Sequence, residues 1–204
     1  MPGSPPPREQ APRQWGKTAD TRRSILAAAE EVFLASGYSG ASIADVVERS
    51  GSSVGSIYHH FGGKAELFYA LWRRYDTGVA ADIDHAEREA TGDDAPHGRS
   101  AFIAGCAVYL RHVWLMRRAA ALFIGTDLPP GFEERRRELN AVWIQRSAKT
   151  LGLSDSAADR FVAAAIMGVL NEATRAIVDS KRASQARDIT NRAIEMLESI
   201  LGQR

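Results

Sequence analysis

The sequence predicts an all-α protein in two parts: a three-helix N-terminal unit containing a helix-turn-helix, then a longer C-terminal helical domain. Three observations carry this. Apolar residues recur at helical spacing along the chain, and beyond residue 98 no strand-like alternation appears. Two short helical patterns within residues 42–61 meet at a glycine, as in a helix-turn-helix. Turn-rich stretches, TGDDAPHG at 91–98 and GTDLPPG at 125–131, break the remaining sequence into helix-sized pieces. The expected boundaries are a tail at 1–17, a helix-turn-helix domain at 18–63 and a helical domain at 64–204.

Residues 1–17 are rich in Pro and charge and read as a disordered tail, biased positive by Arg8, Arg13 and Lys17. The first helix begins at Thr18, with Asp20 in its first turn, where a carboxylate suits the helix dipole. Ile25, Ala29, Val32 and Phe33 make its apolar stripe, and Gly37 ends it. Arg22 and Arg23 either meet phosphates or face solvent. Ser42 and Asp45 form a capping-box start for the second helix, which carries Ile43, Ala44, Val46 and Val47. Gly51 suits the sharp turn, and Ser53 caps the third helix, from Val54 to about His60, stopped by Gly62 and Gly63.

Ile57 and Phe61 turn inward, leaving Val54, Gly55, Ser56, Tyr58, His59 and His60 on the outer face. Small residues at the start of this helix let its backbone approach a groove, while Ser, Tyr and His offer hydrogen-bonding groups. Lys64 opens the next helix and adds positive charge beside its N-terminal N–H groups, an arrangement suited to phosphate.

That next helix runs to about Ala90 as one rod, with Leu67, Phe68, Leu71, Trp72, Tyr75, Val79 and Ile83 in its stripe. A long and a short helix share residues 99–125. Another spans 132–151, with Leu139, Val142, Trp143 and Ile144 inside and a solvated charged face at 133–137. The last two helices carry near-heptad stripes: Val162, Ile166, Val169, Ala173 and Ile177, then Ile189, Ala193, Met196, Leu197, Ile200 and Leu201. Such stripes serve a two-fold four-helix interface or burial inside one chain.

The ordered pattern Ile25 to Phe33, Gly37, Ser42-Ile43-Ala44, Gly51, Ser56-Ile57-Tyr58-His59-His60-Phe61, Lys64 and Leu67-Phe68 resembles the TetR family of bacterial transcriptional regulators. The resemblance covers the first third of the chain. Ser52 replaces a commonly apolar residue, and Gly63 replaces a commoner polar cap. It implies that Tyr58 and Lys64 hold phosphates and that Val54, Gly55, Ser56 and His59 face base edges; Ser42, Ser53 and His60 are further DNA-binding candidates. It also implies that the last two helices pair with a second copy, through Val162, Ile166, Val169, Ala173, Ile177, Ile189, Ala193, Met196, Leu197 and Ile200.

An aromatic-rich lining made by Trp72, Tyr75, Phe102, Tyr109, Trp114, Phe123 and Trp143, with Cys106, Met167 and the polar Asn171 and Glu172, suits a small-molecule pocket between helices, or a plain core. Cys106 reads as a small core residue rather than a redox sensor. As the sole cysteine it excludes an internal disulfide and a cysteine-based zinc site, and His85, His97 and His112 lack metal-ligand spacing.

With 26 basic and 25 acidic residues the net charge is +1, so DNA binding would rest on a local patch and on dimerisation, not on bulk charge. No uninterrupted run of about eighteen apolar residues is present, and the N-terminus lacks a secretory signal core, so a cytoplasmic protein without membrane contact is expected. No G-x-S-x-G, P-loop or HExxH supports catalysis. The expected function is a homodimeric regulator binding a palindromic operator in double-stranded DNA and responding to an unidentified small-molecule effector, with no cofactor or metal. Repression is the favoured sense. The alternatives are an activator or protein-responsive regulator of the same fold, and a helical small-molecule-binding protein or enzyme that uses no DNA.

Overall fold

The computed structural model describes residues 13–91 and 98–202, which form nine helices. These are α1 (Arg13–Gly40), α2 (Ile43–Ser50), α3 (Val54–Phe61), α4 (Lys64–Thr91), α5 (Arg99–Leu115), α6 (Arg117–Ile124), α7 (Phe132–Thr150), α8 (Ala157–Asp179) and α9 (Ala183–Gly202). The expectations for residues 1–12 with Arg8, for the side chains of Arg13 and Lys17, and for the break at 92–97 with His97 lie outside the described residues. Helix α1 starts at Arg13, ahead of the expected Thr18, since Arg, Gln and Lys are good helix formers. It leaves helical geometry at Gly37 (φ 70°, ψ −178°), where a Cβ would collide with the Asp127 carboxylate.

Two cores result. The first gathers Ile25, Ala29, Val32 and Phe33 of α1 with Val46, Ile57, Leu67 and Phe68, and takes in Phe123 of α6 and Phe132 of α7. Phe68 is its centre: its ring meets Phe33 edge-on at 5.2 Å, and Tyr38, Phe123 and Phe132 edge-on at 5.5 Å each. The packing of the N-terminal unit therefore continues into the helices behind it without a seam. The second core lies between α5, α8 and α9 and includes Phe102, Leu110, Val113, Ile166, Leu170, Ile177 and Leu197.

That second core reassigns much of the expected interface. Ile166, Ala173, Ile177, Ala193 and Leu197 are buried within the single chain, because the stripe available to a second copy is used to pack α8 and α9 on α5. Val162, Val169, Ile189 and Ile200 are half-buried against the same core, and Met196 stays exposed. What α8 leaves outside is Phe161, 73% exposed, with Ala164 and Gly168 on its face. Val142 is also a correction. It faces outward, because Leu139, Trp143, Arg146 and Ser147 occupy the inner side of α7. Helix α8 is long and apolar enough by composition to cross a bilayer, with a mean hydropathy of 1.5. Its Ile166–Leu170–Ile177 side is packed inside the fold, and Asn171, Glu172 and Arg175 interrupt its apolar run.

Phe68→Ala removes the ring on which four others rest and should lower unfolding free energy by about 3–5 kcal/mol. Val142→Ala, on the surface, should stay within about 0.5 kcal/mol. Urea unfolding of the two variants checks both values.

Candidate nucleic-acid interface and internal cavity

Helix α2 starts as its sequence dictates. The Ser42 hydroxyl accepts from Asp45 N–H at 3.2 Å, and the Asp45 carboxylate accepts from Ser42 N–H at 2.9 Å. Those Ser42 bonds hold the Asp45 carboxyl below the usual carboxylate range. Gly51 takes the left-handed turn (φ 66°), and the Ser53 hydroxyl then caps α3 by accepting from Ser56 N–H at 3.1 Å. Ile57 is wholly buried and fixes the rotation of α3. Val54 and Tyr58 are 51% and 54% exposed on the same helix. Gly55 and His59 are exposed beside them, while Ser56 and His60 are half-buried. Ser42 and Ser53 are exposed at the starts of α2 and α3.

Lys64 behaves differently. Its ammonium is turned inward, donating to the carbonyls of Tyr38 (2.8 Å) and Ala41 (2.9 Å) and lying 4.4 Å from the centre of the Tyr38 ring. It ties the end of α1 to the start of α2, where two carbonyls lack helical partners. The arginines nearby are similarly occupied. Arg49 pairs with Glu31, Arg23 with Asp20, and Arg22 stacks over Phe61.

Behind this unit, α4 and α7 border a cavity of about 250 Å³ that α5, α6 and α8 also line and that opens to solvent. Trp72, Tyr75, Phe102, Cys106, Tyr109, Phe123, Trp143, Met167 and Asn171 line it as the sequence predicts. Trp114 does not. It lies five residues beyond Tyr109, about 140° round the helix, and packs on the second core under the Arg117 guanidinium. Glu172 points outward and pairs with Arg175 at 3.1 Å.

The polar lining is what sequence reading missed. Glu87 is buried and binds Arg146 at 2.7 Å, in a space left by Gly105, whose missing Cβ would stand 3.0 Å from Glu87 Oε1. Asp84 takes the same guanidinium at 2.5 Å. Asp76 accepts from Trp143 Nε1 at 3.3 Å, and burial holds its carboxyl above the ordinary range, partly offset by that bond. The available signal was spacing: Asp76, Ile83 and Glu87 continue the face begun by Trp72. Burial, with Glu87 near, pushes the Cys106 thiol up to about 12, and it also raises Tyr75 and Tyr109. The Tyr109 hydroxyl is within hydrogen-bond reach of Thr174 Oγ1 at 2.8 Å. Among the described residues no three His, Cys, Asp or Glu side chains gather as a metal site.

The loop between α6 and α7 joins cavity and interface. Asp127 accepts from Ser39 N–H at 3.0 Å and from its hydroxyl, which lowers the Asp127 pKa. Tyr69 Oη donates to the Pro130 carbonyl at 2.9 Å.

The family model described as bacterial regulatory proteins, tetR family, matches residues 25–71, from the buried Ile25 to the first turns of α4. Over those residues the chain is similar to the TetR family. The repressor AcnR of Corynebacterium efficiens is 44% identical over 57 residues, covering 28% of this chain and 30% of that protein. The activator FasR of Mycolicibacterium smegmatis is 33% identical over 72 residues, covering 35% and 33%. These matches thus span about a third of the length of the curated relatives. Over nearly the whole chain, a TetR-like regulator from Rhodococcus sp. RHA1 shares the fold at a TM-score of 0.69, with 20% identity, covering 91% of this chain and 95% of that one.

Two outcomes follow from this geometry. Lys64→Ala removes a cation bonded to two carbonyls and should cost about 1–3 kcal/mol of stability. It should leave the salt dependence of DNA binding unaltered; a shallower slope would return Lys64 to the phosphates. For Asp76 the folded pKa is raised, so its contribution is most favourable below the ordinary carboxylate value and is lost as pH rises through the folded one. Asp76→Asn, which keeps an acceptor for Trp143, should raise the unfolding temperature at neutral pH, with the gain shrinking as pH falls toward about 4.

Proposed function

We propose that this chain is a homodimeric transcriptional regulator, in its simplest form a repressor, which binds a palindromic operator through α3 and answers to a small molecule held between α4 and α7. The observation that carries the reading is α3 itself: a capped helix locked by Ile57, presenting Val54 and Tyr58 to solvent within the family-matched residues. A major-groove reader needs three or four side chains on a helix; Val54, Ser56 and His59 supply three, and Gly55 lets the backbone come close. Tyr58, Ser42, Ser53 and His60 flank it and would position the sugar-phosphate backbone. The reading domain is taken as residues 18–63 and the effector and pairing domain as 64–204. Pairing would use the outer side of α8 and α9, where Phe161, Ala164, Gly168 and Met196 remain uncovered by the chain. Such a protein acts where the chromosome is, in the cytoplasm.

Control follows from α4. Its first turns hold Leu67 and Phe68 against the reading unit, and its middle presents Trp72, Tyr75 and Asp76 to the cavity. A ligand that favours one setting of this rod changes operator affinity by its difference in affinity for the two settings, and by no more. Activation is the second reading, favoured by the likeness to FasR, an activator, over the reading domain. A reporter assay with and without the gene separates the two.

Gel shifts with DNA flanking the gene should show a dimer bound to a palindrome. Tyr58→Ala and His59→Ala should each weaken that complex by about 1–3 kcal/mol without lowering the unfolding temperature. A purified protein that stays monomeric and ignores every flanking duplex at low ionic strength would sink the proposal.

A further inference from the structure

We infer that the cavity between α4 and α7 is built for an organic cation, a protonated amine on an apolar body, with Asp76 as its counter-ion. This rests on reading the cavity as the effector site. The argument is a count of charges. Arg146 is already bonded to both Asp84 and Glu87, at 2.5 Å and 2.7 Å. Arg136, Arg137 and Arg175, which also border the cavity, are bonded to Glu133, Glu134 and Glu172 on their own helices, at 2.6, 3.4 and 3.1 Å. Asp76 pairs with no cation among the described residues, and its hydrogen bond is from the neutral Trp143 indole. A half-buried carboxylate in this state is unfavourable unless it takes up a proton or a ligand supplies the missing charge.

The walls fit the same ligand. Trp72, Tyr75, Tyr109 and Trp143 border the cavity around the carboxylate, and aromatic faces attract cations. One already does so within the chain: the Arg146 guanidinium lies 5.2 Å from the Trp143 ring centre. An anion would meet the Asp76 carboxylate, and each of the four bordering guanidiniums, Arg136, Arg137, Arg146 and Arg175, already has a carboxylate partner. A neutral body would fill the apolar space and leave Asp76 as it was. An amine donates an N–H to the carboxylate, a charge-assisted bond stronger than a neutral one.

Three probes with one body separate these cases: phenylbutylamine, phenylbutanol and phenylbutyrate, titrated into the purified full chain by calorimetry. The amine should bind at least about tenfold tighter than the alcohol, and the carboxylate more weakly than either. In Asp76→Asn the ratio of amine to alcohol affinity should fall to about one, and the variant's unfolding transition shows that it is folded. An amine that fails to bind at millimolar concentration, an alcohol or carboxylate that binds as well, or a preference that survives Asp76→Asn, overturns the inference. Operator gel shifts run in parallel on the same preparation. Intact operator binding without amine preference rejects the ligand class alone, whereas amine preference without operator binding rejects the regulator and keeps the site.

Discussion

The packing of one ring, Phe68, is the constraint on which the molecule depends. It is buried at the start of α4 and touched edge-on by rings from α1, α6 and α7. Edge-to-face contacts fix relative orientation as well as distance, because the positive edge of one ring meets the negative face of another. The pitch of the reading unit against the body is thereby set by side chains that also form one end of the cavity wall. Phe123 shows the continuity: it meets Phe68 at 5.5 Å and Tyr75 at 5.6 Å, and it lines the cavity. A change at Tyr75 therefore reaches Phe68 through a single intervening ring.

The interface and the cavity spend charge in opposite ways. Near α3, Lys64 serves two carbonyls, Arg23 and Arg49 pair with carboxylates, and Arg22 lies over the Phe61 ring. The outward face of α3 presents hydroxyls, imidazoles, a phenol and an exposed valine. The cavity instead borders a carboxylate, Asp76, that has no cationic partner among the described residues. With a whole-chain net charge of +1, attraction to a polyanion is weak from a distance. Recognition would depend on close fit and on two copies acting together.

Much of the fold was legible because caps, breaks and stripes are local. Ser42, Gly51, Ser53 and Gly62 place α2 and α3, and each acts on backbone groups within four residues. The buried role of Ile57 and the aromatic cavity lining were legible from helical spacing in the same way. What failed was partner choice. The stripe of Ile166, Ala173 and Ile177 is a true apolar seam, but spacing cannot say whether α9 of the same chain or a second copy covers it. Trp114 was grouped with Tyr109 by chemistry, although their angular separation puts them on different faces. Lys64 was assigned by its position at a helix start, and its ammonium folded back onto α1 through contacts 23 and 26 residues away in sequence. Asp76 and Glu87 are not legible as cavity residues because charged residues beside an apolar stripe are ordinarily solvated.

The bond between Ser39 and Asp127 has a mechanical consequence. It bridges the end of α1 and the α6–α7 loop across 88 residues of sequence, and both partners are exposed to water. Beside it, Gly37 supplies a backbone geometry that side-chain-bearing residues rarely adopt. A hydrogen bond in water is exchanged at little net cost, whereas the ring cluster beneath it is not. The pair therefore registers the α6–α7 loop against the end of α1, while the ring cluster beneath it supplies most of the cohesion.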